Sequence, residues 1–161
     1  MKRELLKGFT MLALIVTVAL ATAVASANAQ STARKVVANV PFEFSVGYKA
    51  LPAGEYSVQT IASAGDGLLI QSADGKISAL RLSDATSRIK DKSPARLVFH
   101  RYGERYFLAE VWNGVDNIGR RLLMSEEERG IERELAIASA KENAHAPTTM
   151  YETVEVLAVL R

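Results

Sequence analysis

Between positions 36 and 46 every second residue is apolar, namely Val36, Ala38, Val40, Phe42, Phe44 and Val46, with Asn39, Pro41, Glu43 and Ser45 between them. A repeat of two is the signature of a half-buried strand, because successive side chains point to opposite faces of a sheet. Such a strand needs a pairing partner and a second layer over its apolar face, so this stretch already demands a β-rich domain. Pro41 has no amide hydrogen to give to a ladder and places the strand at a sheet edge or a bulge.

Turn chemistry extends the pattern. Leu51-Pro52-Ala53-Gly54 combines a fixed backbone angle at Pro with a permissive one at Gly, and delivers the chain into a strand over 55–61. Strands over 68–72 and 76–82 are joined through Ala73-Asp74-Gly75, in which Asp-Gly is a strong hairpin signal. Taking Gly103-Glu104 as a two-residue loop registers a further hairpin over 97–112: Arg101 faces Tyr106, His100 faces Phe107, Phe99 faces Leu108, Val98 faces Ala109 and Leu97 faces Glu110. Asn113-Gly114 turns the chain into a strand over 118–124.

At Ser125 the period changes. Ser125-Glu126-Glu127-Glu128 has the form of a capping box, with a hydroxyl placed for the N3 amide and Glu128 reaching back. The helix it starts should run over about 126–141, with Ile131, Leu135 and Ala138 as a narrow apolar stripe. After a linker over 143–149 that contains Pro147, residues 151–160 read as a last strand, apolar on both faces. The expected fold is therefore mainly β, an antiparallel β-sandwich or small barrel of about seven or eight strands carrying one helix. Outer-membrane barrels use longer strands and no such helix, so that architecture is disfavoured.

The first 29 residues read as a signal peptide. Lys2, Arg3 and Lys7 precede an uncharged apolar run, and Ala27-Asn28-Ala29 offers a small-x-small cleavage pattern. Cleavage after Ala29 leaves one domain, 30–161. The chain has 20 Lys and Arg against 18 Asp and Glu, and losing the leader leaves 17 of each sign. A retained anchor is the competing reading, although the run is short for a bilayer span. There is no Cys, which excludes a lipid-anchored lipoprotein and any disulfide framework. These features place the protein outside the cytoplasm, secreted or periplasmic, with no membrane association once the leader is removed. Neutrality removes nucleic acid as a partner and leaves an envelope protein or glycan. Arg88, Lys90 and Lys92, mixed with Asp84 and Asp91, read as a solvated loop.

The stretch Val40-Pro41-Phe42-Glu43-Phe44-Ser45-Val46-Gly47, followed by Leu51-Pro52-Ala53-Gly54-Glu55-Tyr56-Ser57-Val58, resembles the opening of a group of small uncharacterised secreted bacterial proteins. Phe99-His100-Arg101-Tyr102-Gly103, with Tyr106-Phe107-Leu108 and Val111-Trp112, is similar to a later segment of the same group. The resemblance implies export and brings no activity with it. A shorter likeness over 51–58, to the turn and strand of prealbumin-like modules on bacterial surface proteins, implies only a sandwich-like fold. The Lys to Asn crosslink of some such modules does not carry over, because 151–160 contains neither Asn nor Asp.

Chemical signatures are few. His100 and His145 are the only histidines, there is no HExxH or calcium loop, and no GxSxG elbow, so no metal, cofactor or catalytic residue is assigned. Ser87-Arg88-Ile89-Lys90 matches SxxK without the companion motifs of that enzyme class. The one constellation with binding character is on the hairpin. In its register Arg101, Tyr106 and Glu110 share a face and, with Trp112, offer aromatic platforms and polar partners for a sugar or peptide. Cross-strand aromatic and charge pairs that simply stabilise the sheet are the commoner alternative. The functional expectation is a non-enzymatic envelope module with a binding or structural role. The alternative is a small cell-wall or polysaccharide hydrolase using Glu110 and a second carboxylate. A third reading makes 42–46 an exposed edge that docks a partner.

Overall fold

The alternating segment forms two strands instead of one. In a computed structural model that describes residues 34–61, 66–88, 93–141 and 150–161, it breaks at Pro41 into β1 (Val36–Val40) and β2 (Phe44–Val46). The expectations for 1–29, for Lys90 to Lys92 and for the linker with His145 lie outside the described residues. The elements that follow are β3 (Lys49–Leu51), β4 (Gly54–Ile61), β5 (Gly67–Ser72), β6 (Ser78–Ser87), β7 (Arg96–Tyr102), β8 (Arg105–Trp112) and β9 (Ile118–Leu122). Helix α1 (Glu126–Lys141), β10 (Glu152–Leu157) and β11 (Val159–Leu160) complete the order. The strand count rises to 11 among the described residues, chiefly because the first and last predicted strands each change sheets part-way.

The result is a mainly β, sandwich-like fold. Strands run in the order β10-β7-β8-β9-β6-β5-β4-β1-β11, all antiparallel along that path. Three chain segments pass between the sheets, and two of them are pinned by hydrogen bonds at their corners. Strand β6 pairs with β5 as far as Leu82 and with β9 from Ser83 onward. Ser83 is buried at the switch and donates both its amide and its hydroxyl to Asp66 O, at 2.7 and 2.9 Å. The second corner is Ala158, whose amide donates to Ala95 O at 2.8 Å between β10 in one sheet and β11 in the other. Strands that pass between sheets at corners are the usual way to join two packed layers.

Pro41 therefore marks a crossing and not an edge. β1 has β4 on one side and β11 on the other, while β2 pairs with β3 and, in parallel, with β8 through Ser45 opposite Phe107. Phe44 is buried at 2% exposure, so 42–46 does not form a free docking edge. Tyr56, Phe44, Phe99 and Phe42 meet edge to face at 5.1, 5.3 and 5.2 Å, and Tyr106 stacks on Phe42 at 3.9 Å. This aromatic chain bridges the two sheets, with geometries worth roughly 0.5–1.5 kcal/mol per pair beyond simple burial.

The β7–β8 hairpin follows its turn only part-way. From Tyr102 opposite Arg105 to Phe99 opposite Leu108 the register is the one the loop dictates. Between Val98 and Phe99 it shifts by one residue, so Val98 faces Glu110, Leu97 faces Val111 and Arg96 faces Trp112. Such a bulge rotates the following side chains to the opposite face. Val111 then joins Leu97, Phe99 and Leu108 in the core, and Glu110 turns outward. An unbulged strand would have aimed that carboxylate into the core beside Leu108, a costly burial.

Helix α1 has the predicted bounds but not the predicted anchor. Ser125 Oγ accepts from the Glu128 amide at 3.1 Å, which is one half of the capping box. The Glu128 carboxylate turns instead toward His100 and is the buried residue of the helix. Leu135 and Ile137 are exposed, so the apolar stripe does not dock against the sheets. No helix among the described residues is long and apolar enough to cross a membrane.

Candidate functional site

The four hairpin residues with binding character are brought together in pairs, not as one surface. Arg101 and Tyr106 lie at the turn end, with Arg101 Cζ 5.6 Å from the ring centroid. Phe42 covers a face of the same ring, which leaves the edge of Tyr106 for any ligand. Arg101 also bonds Gly103 O at 2.7 Å and Glu152 Oε2 at 3.2 Å. Glu110 and Trp112 sit past the bulge, on the outer face at the other end. Trp112 Nε1 donates to Glu110 Oε2 at 2.9 Å, and Arg121 Nε donates to Glu110 Oε1 at 3.2 Å. Trp112 is 5% exposed and packs on Gly119, where an added Cβ would stand 2.7–2.8 Å from three indole atoms. Its ring is a packing element and offers no bare platform.

Arg88 is also more than a loop cation. Its amide donates to Asn117 O at 3.1 Å, and its guanidinium carbon stands 4.9 Å over the Trp112 ring, with that of Arg96 at 5.4 Å.

A groove of about 260 Å³ with mixed chemistry lies between the β2–β3 hairpin and the Gly103-Glu104 turn. Glu43, Ser45, Tyr48, Glu104, Tyr106 and Glu127 line it, with Arg105 ion-paired to Glu127. Tyr48 stands at its lip with 73% of its surface exposed. Gly47 explains that position: its φ is +67°, and a Cβ there would meet the Arg81 guanidinium at 2.5 Å. Without a side chain, Gly47 lets Arg81 pass beneath the turn, and Arg81 Cζ lies 5.5 Å from the Tyr48 centroid. An exposed aromatic braced on one side, beside carboxylates and a serine hydroxyl, suits a polyhydroxylated ligand, since carboxylates accept from neighbouring hydroxyls and a ring stacks on apolar sugar faces.

A third cluster lies under the start of α1. His100 Nδ1 is 2.7 Å from Glu128 Oε1, Tyr102 Oη donates to the same oxygen at 3.5 Å, and Tyr151 stacks on the imidazole at 3.8 Å. Burial, followed by the charges of Glu128 and Glu132, pushes the Tyr102 hydroxyl well above the ordinary tyrosine range. His100 and Glu128 satisfy one another inside this cover, which fits a structural role for His100.

Sequence reasoning passed over Tyr48, although an aromatic immediately after Gly47 in a turn between two strands was a readable sign of an exposed ring. It had no way to find the His100–Glu128 contact, which joins residues 28 positions apart. No group of three or more His, Cys, Asp or Glu suited to a metal occurs among the described residues. Comparison with protein-family models, curated proteins and solved structures returns no match for this chain.

Proposed function

We propose that the protein is an exported, non-enzymatic β-sandwich module that binds a glycan of the cell envelope in the groove beside Tyr48. The observation that carries this reading is the groove itself: an exposed aromatic lip, carboxylate and hydroxyl lining, and about 260 Å³ of open space on a rigid strand framework. Export rests on the charged, apolar and small-residue order of 1–29. Glu110, the sequence candidate for acid and base work, is held by Trp112 and Arg121, which supports a structural use of that carboxylate.

The hydrolase alternative retains one favourable observation: Glu43, Glu104 and Glu127 line a single groove. Glycoside hydrolysis needs two carboxyl groups flanking the bond. One experiment separates the two readings. Purified peptidoglycan and envelope polysaccharides are incubated with the wild-type protein, Tyr48→Ala and Glu104→Gln, and both retention and release of soluble sugar are measured. Specific retention with no release, weakened about threefold to tenfold in Tyr48→Ala, is expected from the loss of one aromatic contact. Release of soluble sugar that disappears in Glu104→Gln would overturn the binding reading in favour of the hydrolase.

A further inference from the structure

At the end of the β7–β8 hairpin opposite the groove, two guanidinium groups share one indole ring, and the buried one has an Nε without a hydrogen-bond partner. Arg96 is 3% exposed, yet its Nε has no hydrogen-bond partner, the one buried side-chain nitrogen or oxygen of this kind among the described residues. Its Nη1 reaches only Pro94 O, at 3.4 Å. Glu155 Oε1 stands 3.4 Å from Arg96 Nε and 3.8 Å from Arg88 Nη1, within range of charge attraction but not aligned or close enough to seat a hydrogen bond. Glu110 Oε2 is likewise 3.8 Å from Arg88 Nη2. A buried guanidinium has five N–H donors and no acceptor, and it is costly to leave them unfilled.

We propose that this cleft binds a small oxyanion group, a carboxylate or a phosphate carried on a larger ligand. Arg88, Ser93, Arg96, Trp112 and Asn117 line it. The Trp112 ring carries both guanidinium groups, with Arg88 Cζ at 4.9 Å and Arg96 Cζ at 5.4 Å, so two cations are gathered beside one space where an oxyanion gains charge-assisted contacts. Arg121 brings the local cations to three, against three carboxylates, Glu110, Glu155 and Asp116. Asp116, at the rim, turns its carboxylate back to the Ile118 amide at 3.3 Å. Glu155 has 45% of its side chain exposed and contacts both arginines from outside, so it can swing away as a ligand oxyanion takes the closer position. The cleft has room for about one water-sized sphere, so a single oxygen of a terminal group enters it while the rest of that group takes the place Glu155 leaves, and a sugar ring is excluded. The site is separate from the Tyr48 groove, and either can fail without the other.

Trp112 is the only tryptophan in the chain, so its fluorescence reports this cleft alone. The folded protein is titrated with inorganic phosphate and, separately, with acetate, at ionic strength held constant with potassium chloride. A saturable change with either probe is expected, weakened at least about tenfold in Arg88→Gln, because a charge-assisted contact is lost. Arg101→Gln, at the turn end of the hairpin, should leave the titration as in the wild type. Arg88 is half-exposed, so its replacement avoids the folding risk of changing Arg96. Saturation with phosphate alone identifies a phosphate-bearing ligand, and saturation with acetate alone a carboxylate. No saturable response to either probe, or an equal response in Arg88→Gln, overturns the proposal.

Discussion

The two ends of the β7–β8 hairpin start from the same pattern of apolar, aromatic and charged residues and reach different outcomes. At the turn end, register follows directly from the Gly103-Glu104 loop, and His100, Tyr102 and Phe107 face the helix side in the order that simple alternation gives. At the far end, one extra residue in β8 reverses the faces, so Val111 enters the core between the sheets and Glu110 lies with the buried Trp112 on the opposite face. Turn chemistry sets register locally, but the next carboxylate that would otherwise enter the core decides where that register stops. The two ends also treat charge differently. The turn end pairs His100 with Glu128 at 2.7 Å, whereas the far end leaves Arg96 Nε unbonded.

The strongest way to break the comparison is at the bulge itself. Phe99 is fully buried and touches both Phe42 and Phe44, so Phe99→Ala should cost about 3–5 kcal/mol in urea unfolding, by loss of transfer energy and creation of a cavity. A cost near that of a surface change would mean that the two ends are not joined through this ring.

Glycine substitutions then sharpen the contrast. Gly119→Ala drives a methyl into the indole of Trp112 at 2.7–2.8 Å and should destabilise by about 1–3 kcal/mol, with a shift in tryptophan emission. Gly103→Ala meets no atom within 4 Å and suffers only from its φ of +61°, so a loss of about 1–2 kcal/mol with unchanged emission is expected. Equal emission shifts would contradict the assignment of steric strain to one end and backbone strain to the other. Under the helix, Glu128→Gln keeps the shape but removes the charge facing His100, and should lower stability by about 1–2 kcal/mol in the same assay.

The smallest effect is one of pH. Burial first, and then the negative charges of Glu128 and Glu132, raise the Tyr102 hydroxyl above its ordinary value of 10.0, so the fold favours the neutral phenol. The stability it contributes is complete below about pH 10 and is lost as the pH rises toward the higher folded value. Urea midpoints measured between about pH 8 and pH 11 should fall less steeply in Tyr102→Phe than in the wild type. Tyr56, also raised by burial, keeps part of the slope. A slope unchanged in Tyr102→Phe would remove Tyr102 from the account.

Much of this architecture is written in short-range chemistry. Ser125 starts the helix, Asp74-Gly75 and Gly103 turn their hairpins, and alternation over 36–46 gives two core-facing strands. What short-range chemistry does not encode is how segments change sheets. Pro41 reads as an edge because it cannot donate to a ladder, yet here the missing donor sits where the chain crosses between layers. The helix stripe of Ile131, Leu135 and Ala138 predicts docking, but the helix is held by Glu128 and Ser125 in its first turn. The candidate site was half legible for the same reason: parity along β8 holds for Tyr106 and fails after the bulge for Glu110 and Trp112, and no periodicity marks Tyr48.

Amide chemical shifts of the labelled protein, followed while soluble envelope-glycan fragments are added, test the binding account most directly. The account predicts saturable shifts centred on Tyr48, Ala50, Glu104 and Tyr106, with the fragments recovered intact. Absence of shifts at those positions, or conversion of the fragments during the titration, would contradict it.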